Sequence, residues 1–93
     1  MTEPGASPVI HLRGELDLSN VGEVQTTIDA VVGRRPERIV LDVQKLTFMD
    51  SSGIALLISV AERVPRMELQ GPAPAIRRLL EITGLAGTLP MTE

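Results

Sequence analysis

The stretch Phe48-Met49-Asp50-Ser51-Ser52-Gly53-Ile54 sets an acid, two hydroxyls and a glycine between an apolar strand pattern and an apolar helix pattern. Upstream, Arg38-Ile39-Val40-Leu41-Asp42-Val43 is a short, nearly continuous apolar run enriched in β-branched residues, the mark of a buried strand. Downstream, Ile54, Leu57, Ile58, Ala61 and Val64 recur at the spacing of one helix face. That phase puts Leu56, Val60, Ala55, Ser59 and Arg63 on the flank and outer side, with Leu56 and Val60 forming a small apolar patch beside the serines. Asp50 and Ser51 then fall where the helix begins. There the first backbone N–H groups lack partners and the macrodipole is positive, so an oxygen of Asp50 or Ser51 suits a cap. A phosphate attached there gains charge-assisted hydrogen bonds. Gly53 is expected to leave the approach to the serines open, and Pro65 ends the helix because it has no N–H to donate.

Outward from this centre the chain alternates strand and helix. Pro8 to Asp17 begins with Ile10, Leu12 and Leu16 on one face and Val9, His11 and Arg13 on the other, with Gly14 as a bulge or bend. Asn20 and Glu23 have the spacing of a capping box, followed by a buried stripe of Val21, Val24, Ile28, Val31 and Val32 and a stop at Gly33. Arg34-Arg35-Pro36-Glu37-Arg38 reads as a solvated turn. Met67 and Leu69 alternate with Glu68 and Gln70 in a short third strand, and Gly71-Pro72 is its turn. Pro74 suits the first position of a last helix with a stripe of Ile76, Leu79, Leu80 and Thr83 and a stop at Gly84. Thr88-Leu89-Pro90-Met91 adds an edge strand or dangles. The expected fold class is α/β: one small domain over residues 8–93, with a mixed sheet of about four strands, parallel at its centre, and about three to four helices packed on it.

Composition narrows the function classes. Ninety-three residues suffice for a single core but leave no room for a second lobe and a deep cleft. Phe48 is the only aromatic residue, so the core is aliphatic and base-stacking platforms are missing. With a net charge of −3 and scattered basic residues, nucleic acid is not an expected partner. The absence of cysteine excludes disulfides and thiolate chemistry and is compatible with a reducing compartment. Residues 1–7 read as a flexible leader without the basic and apolar regions of a signal peptide, and no apolar run reaches the length of a membrane span. His11 has no second histidine and no acidic cluster around it, so it reads as a strand residue and no metal is expected. Phosphate-binding and metalloprotease motifs are missing, Asp-Ser-Ser-Gly lacks the form of a nucleophile elbow, and no cofactor or catalytic residue is assigned.

The segment Thr47 to Ile54, the earlier Gly14-Glu15-Leu16-Asp17, and Gln70-Gly71-Pro72 leading into Ala75 to Leu85 together resemble the signature stretches of the anti-sigma factor antagonist family, the STAS domain. The resemblance runs from about Val9 to Leu89. It implies a cytoplasmic bacterial partner-switching regulator that binds an anti-sigma factor with serine kinase activity and is released from it by phosphorylation, with a serine phosphatase as a further partner. The family's phosphorylated residue maps to Ser51, and the acidic residues near it to Asp17 and Asp50. Ser52 and Gly53 map to its rim, and the contact surface is expected to include Ala55, Leu56, Ser59 and Val60. Ala55 stands where many antagonists carry a second glycine, and Val64-Pro65-Arg66 is a shorter connection than usual. Gly53-Ile54-Ala55-Leu56-Leu57 is also similar to STAS subunits of lipid-transporting ABC ATPases. An accessory transporter subunit and a scaffold of a stress-signalling complex therefore stand as alternatives.

Overall fold

Strand and helix periods in the chain become β1 (Val9–Leu16), α1 (Val21–Val32), β2 (Arg38–Met49), α2 (Ser51–Arg63), β3 (Arg66–Gln70), α3 (Pro74–Ile82) and β4 (Met91–Thr92). The structure, a computed structural model, describes residues 7–85, 87 and 89–92. Residues 1–6 of the expected leader and Thr88 of the expected edge segment lie outside the described residues. The strands form one sheet in the order β1-β2-β3-β4, and every pairing among the described residues is parallel, where a mixed sheet was expected. With each strand added beside the last, right-handed crossovers carry the three helices to the same face.

That face holds the core. Ile39, Leu41 and Val43 of β2 point into it with Leu12 and Leu16 of β1 and Met67 and Leu69 of β3, against Ile28, Leu57, Ile76 and Leu80 from the helices. Leu89 closes the cluster at the C-terminal end. Parallel sheets are usually covered on both sides. Here the other face stays open, and its composition fits: alternate β2 positions are Arg38, Val40 and Asp42, beside Val9 and His11 of β1 and Glu68 and Gln70 of β3. Arg38 Nε donates to Glu68 Oε1 at 3.0 Å, Nη2 to Oε2, and Nη1 to Ser7 Oγ at 3.1 Å. Val40 is the one aliphatic side chain of β2 on this face, and its row, Val9, Val40 and Glu68, leaves it buried.

Several local expectations changed. Strand β2 continues six residues past Val43, because the register slips between His11/Arg13 and their partners Asp42/Lys45, absorbing an extra β2 residue as a bulge. Leu46 and Met49 return to the core after it. Asn20 precedes α1 but does not form a capping box: its side chain turns back, accepting from Asp17 N–H at 3.0 Å and donating to the Glu15 carbonyl. Gly33 keeps right-handed backbone, and the left-handed residue of that turn is Arg35, at φ 54°. The end of α3 is as expected in kind: Gly84 has φ 80°, with Leu85 N–H bonded to the Leu80 carbonyl and Gly84 N–H to that of Glu81, a Schellman closure.

Candidate functional site at the start of α2

Asp50 is the hinge of the site. Its Oδ1 accepts from Ser52 N–H at 2.9 Å and Gly53 N–H at 3.3 Å, and its Oδ2 accepts from Leu18 N–H at 3.2 Å. One carboxylate thus caps α2 and ties it to the turn after β1. Asp17 builds that turn: its Oδ1 accepts from the N–H and hydroxyl of Ser19, and its carbonyl accepts from Asn20 and Val21 N–H. Thr47 Oγ1, donating to the Gly14 carbonyl at 2.9 Å, holds β1 against β2 just below. The two signature stretches are therefore joined in space by named hydrogen bonds.

Ser51 is the first residue of α2, exposed, and its hydroxyl has no side-chain partner among the described residues. Ser52 is half-buried. Of the first N–H groups of α2, those of Ser52 and Gly53 are already taken by Asp50.

The phase of α2 differs from the expected one. Leu56, Leu57, Val60 and Val64 are buried, with Leu56 at 4% and Val60 at 0% exposure, so the proposed apolar patch of Leu56 and Val60 belongs to the core. Gly53 is also buried and does not form the rim of the serines: a Cβ there would meet Met49 Cγ at 2.5 Å and Leu16 Cγ at 3.0 Å. This close approach rotates the helix so that positions 53, 56, 57 and 60 face the sheet. Ile54 and Ala61 are half-buried, and Ile58, expected in the core, is 36% exposed. The outer line is Ser51, Ala55, Ile58 and Glu62, with Ser59 half-buried beside it. Arg63 reaches across to Asp29 of α1 at 2.8 Å.

Two exposed apolar residues were missed by the sequence reading. Leu18 is 77% exposed, on the turn whose N–H is bonded to Asp50, and Phe48 is 48% exposed near the end of β2. The signal for Leu18 was present: it follows a turn-forming Asp, which throws it off the face it would share with Leu16 in a continuing strand.

A family model described as "Mlab, STAS domain" matches residues 1–93. The chain belongs to the STAS domain family. An anti-sigma F factor antagonist of Paenibacillus polymyxa is 32% identical to this STAS domain over 90 residues, covering 91% of this chain and 77% of that one. A crystal structure of an anti-sigma factor antagonist from Mycobacterium paratuberculosis superposes with a TM-score of 0.84 at 29% identity, covering 90% of this chain and 74% of that chain. The Bacillus cell fate determinant SpoIIAA in its phosphorylated form superposes with a TM-score of 0.70 at 30% identity, covering 91% and 80%. In the STAS domain described here no helix among the described residues is long and apolar enough to cross a membrane.

Proposed function

We propose that this STAS domain is an anti-sigma factor antagonist, and that it docks on an anti-sigma factor with serine kinase activity through the Ser51 turn and the outer line of α2. Phosphorylation of Ser51 by that kinase ends the complex, and a serine phosphatase restores it. The observation that carries the reading is the unbonded, exposed Ser51 hydroxyl beside a carboxylate whose hydrogen bonds lock the surrounding turn. The turn needs no rearrangement to present Ser51, and charge added there faces an incoming partner directly. Support comes from relatives that are named antagonists and from a homologue solved in a phosphorylated form. In this reading Asp17, Asp50, Ser52, Ala55 and Ser59 belong to the docking surface, and Leu18 and Ile58 supply apolar contact that Leu56 and Val60, being buried, do not offer.

Calorimetric titration against the purified anti-sigma factor tests the switch. Ser51→Ala keeps parental affinity, while Ser51→Asp weakens the complex by about 1–3 kcal/mol through repulsion and desolvation at the contact. Mapping the phosphopeptide after incubation with the kinase and ATP places the phosphate on Ser51, and its retention in Ser51→Ala would reassign it. A second reading, an accessory subunit of a lipid-transporting ABC ATPase, rests on the similarity of Gly53-Ile54-Ala55-Leu56-Leu57 to STAS subunits of such transporters. It gains if Ser51→Asp binds its partner as tightly as the parent.

A further inference from the structure

We propose that the β2 bulge builds a second site, on the strands and separate from the Ser51 turn, that binds a phosphomonoester or inorganic phosphate. The bulge opens a cleft of about 300 Å³ lined by His11, Leu12 and Arg13 of β1 and Asp42, Gln44 and Lys45 of β2. Its geometry is held from within. Asp42 Oδ1 accepts from Gln44 N–H at 3.0 Å across the bulge, and Asp42 Oδ2 accepts from His11 Nδ1 at 3.0 Å. A carboxylate only accepts, so this bond places the imidazole proton on Nδ1 and turns Nε2 outward. The Gln44 stem is fixed in turn by Gly71, where a Cβ would stand 2.4 Å from Gln44 Cγ. Bulges commonly re-aim side chains beside functional sites.

The charge in this cleft runs against that of the chain. Overall net charge is −3, yet Arg13 and Lys45, register neighbours on adjacent strands, are both exposed and have no ion-pair partner among the described residues. The single acid, Asp42, has both oxygens engaged. What remains in the lining is a guanidinium and an ammonium, donors that match the oxygens of a small phosphate. A cation ligand finds one carboxylate already bonded and two positive charges opposing it.

Amide and His11 ring resonances are followed by NMR as inorganic phosphate is added to the intact protein, with sodium chloride at matched ionic strength as the control. The expected result is saturable shifts confined to residues 11–13 and 42–45. Arg13→Ala and Lys45→Ala, both at exposed positions, each weaken binding roughly tenfold, while Arg34→Ala on a distant turn leaves it unchanged. Glycerol phosphate and vesicles containing phosphatidate then separate the sources: competition by the first assigns a soluble phosphomonoester, and Lys45-dependent retention on the second assigns a lipid headgroup. Shifts that grow linearly and spread over all exposed arginines, or phosphate binding that survives the Arg13→Ala/Lys45→Ala double substitution, would overturn the proposal. Either result leaves the reading of Ser51 to be decided by its own titration.

Discussion

Gly53 shows how one missing methyl sets the position of a site. Its hydrogen side lies against Met49 and Leu16, closer than any Cβ would tolerate, and so draws the first turn of α2 onto the end of β2. Replacement by Ala gains up to about 1 kcal/mol of helix propensity but overpacks a filled contact, which costs about 1–3 kcal/mol. The expected outcome for Gly53→Ala is a net loss of roughly 1–2 kcal/mol, read as a lower urea midpoint at unchanged slope. A midpoint equal to the parent's would mean that Met49 swings aside freely and that the glycine does not fix the helix. Ser51, two residues earlier and exposed, is the contrasting case, where Ser51→Asp is expected to alter binding and to leave stability within about 0.5 kcal/mol of the parent.

Element by element, the sequence was legible wherever one period dominated. The alternation in β1 and β3, the 3.6-residue stripe of α1, Pro65 after α2, and Pro74 and Gly84 around α3 all mark what the structure contains. Helix α2 was legible in extent but not in phase. Ile54, Ala55, Leu56, Leu57, Ile58, Val60 and Ala61 are apolar nearly all round, so a helical wheel has no polar side to orient it, and the choice falls to the Asp50 cap and the Gly53 contact. Strand β2 was cut short for a related reason, since a bulge breaks the period of two and makes Gln44-Lys45 look like a strand end. The corrected phase is testable. Leu56→Ala is expected to destabilise the domain by about 2–5 kcal/mol. Ile58→Ala leaves its melting nearly unchanged but weakens partner binding by about 1 kcal/mol or more if Ile58 is an anchor. The reverse pattern would restore the other phase.

At the scale of the whole molecule, helices cover one side of the sheet and a polar ladder the other, and the ladder has a pH signature. The hydrogen bond from Arg38 holds the Glu68 carboxyl below its ordinary value, against the opposing effect of desolvation and with help from the charges of Arg38 and Arg66. The same hydrogen bond holds the Arg38 proton more firmly than usual. A carboxyl depressed in the folded state binds more protons when unfolded, so its contribution is fully present above the unfolded value of about 4.3 and fades as pH falls through the folded one. Glu68→Gln is therefore expected to flatten the dependence of stability on pH below about 4.3, where the parent declines. Melting curves of both proteins through that range check it, and parallel declines would remove Glu68 from the account. The strand order has a different consequence, one of timing. Because β1-β2-β3-β4 follow one another across the sheet as they do along the chain, each strand emerging during synthesis finds its neighbour already made. The sheet grows from one side without waiting for a remote partner, and Leu89, buried at the far end of the chain, is among the last side chains to complete the core.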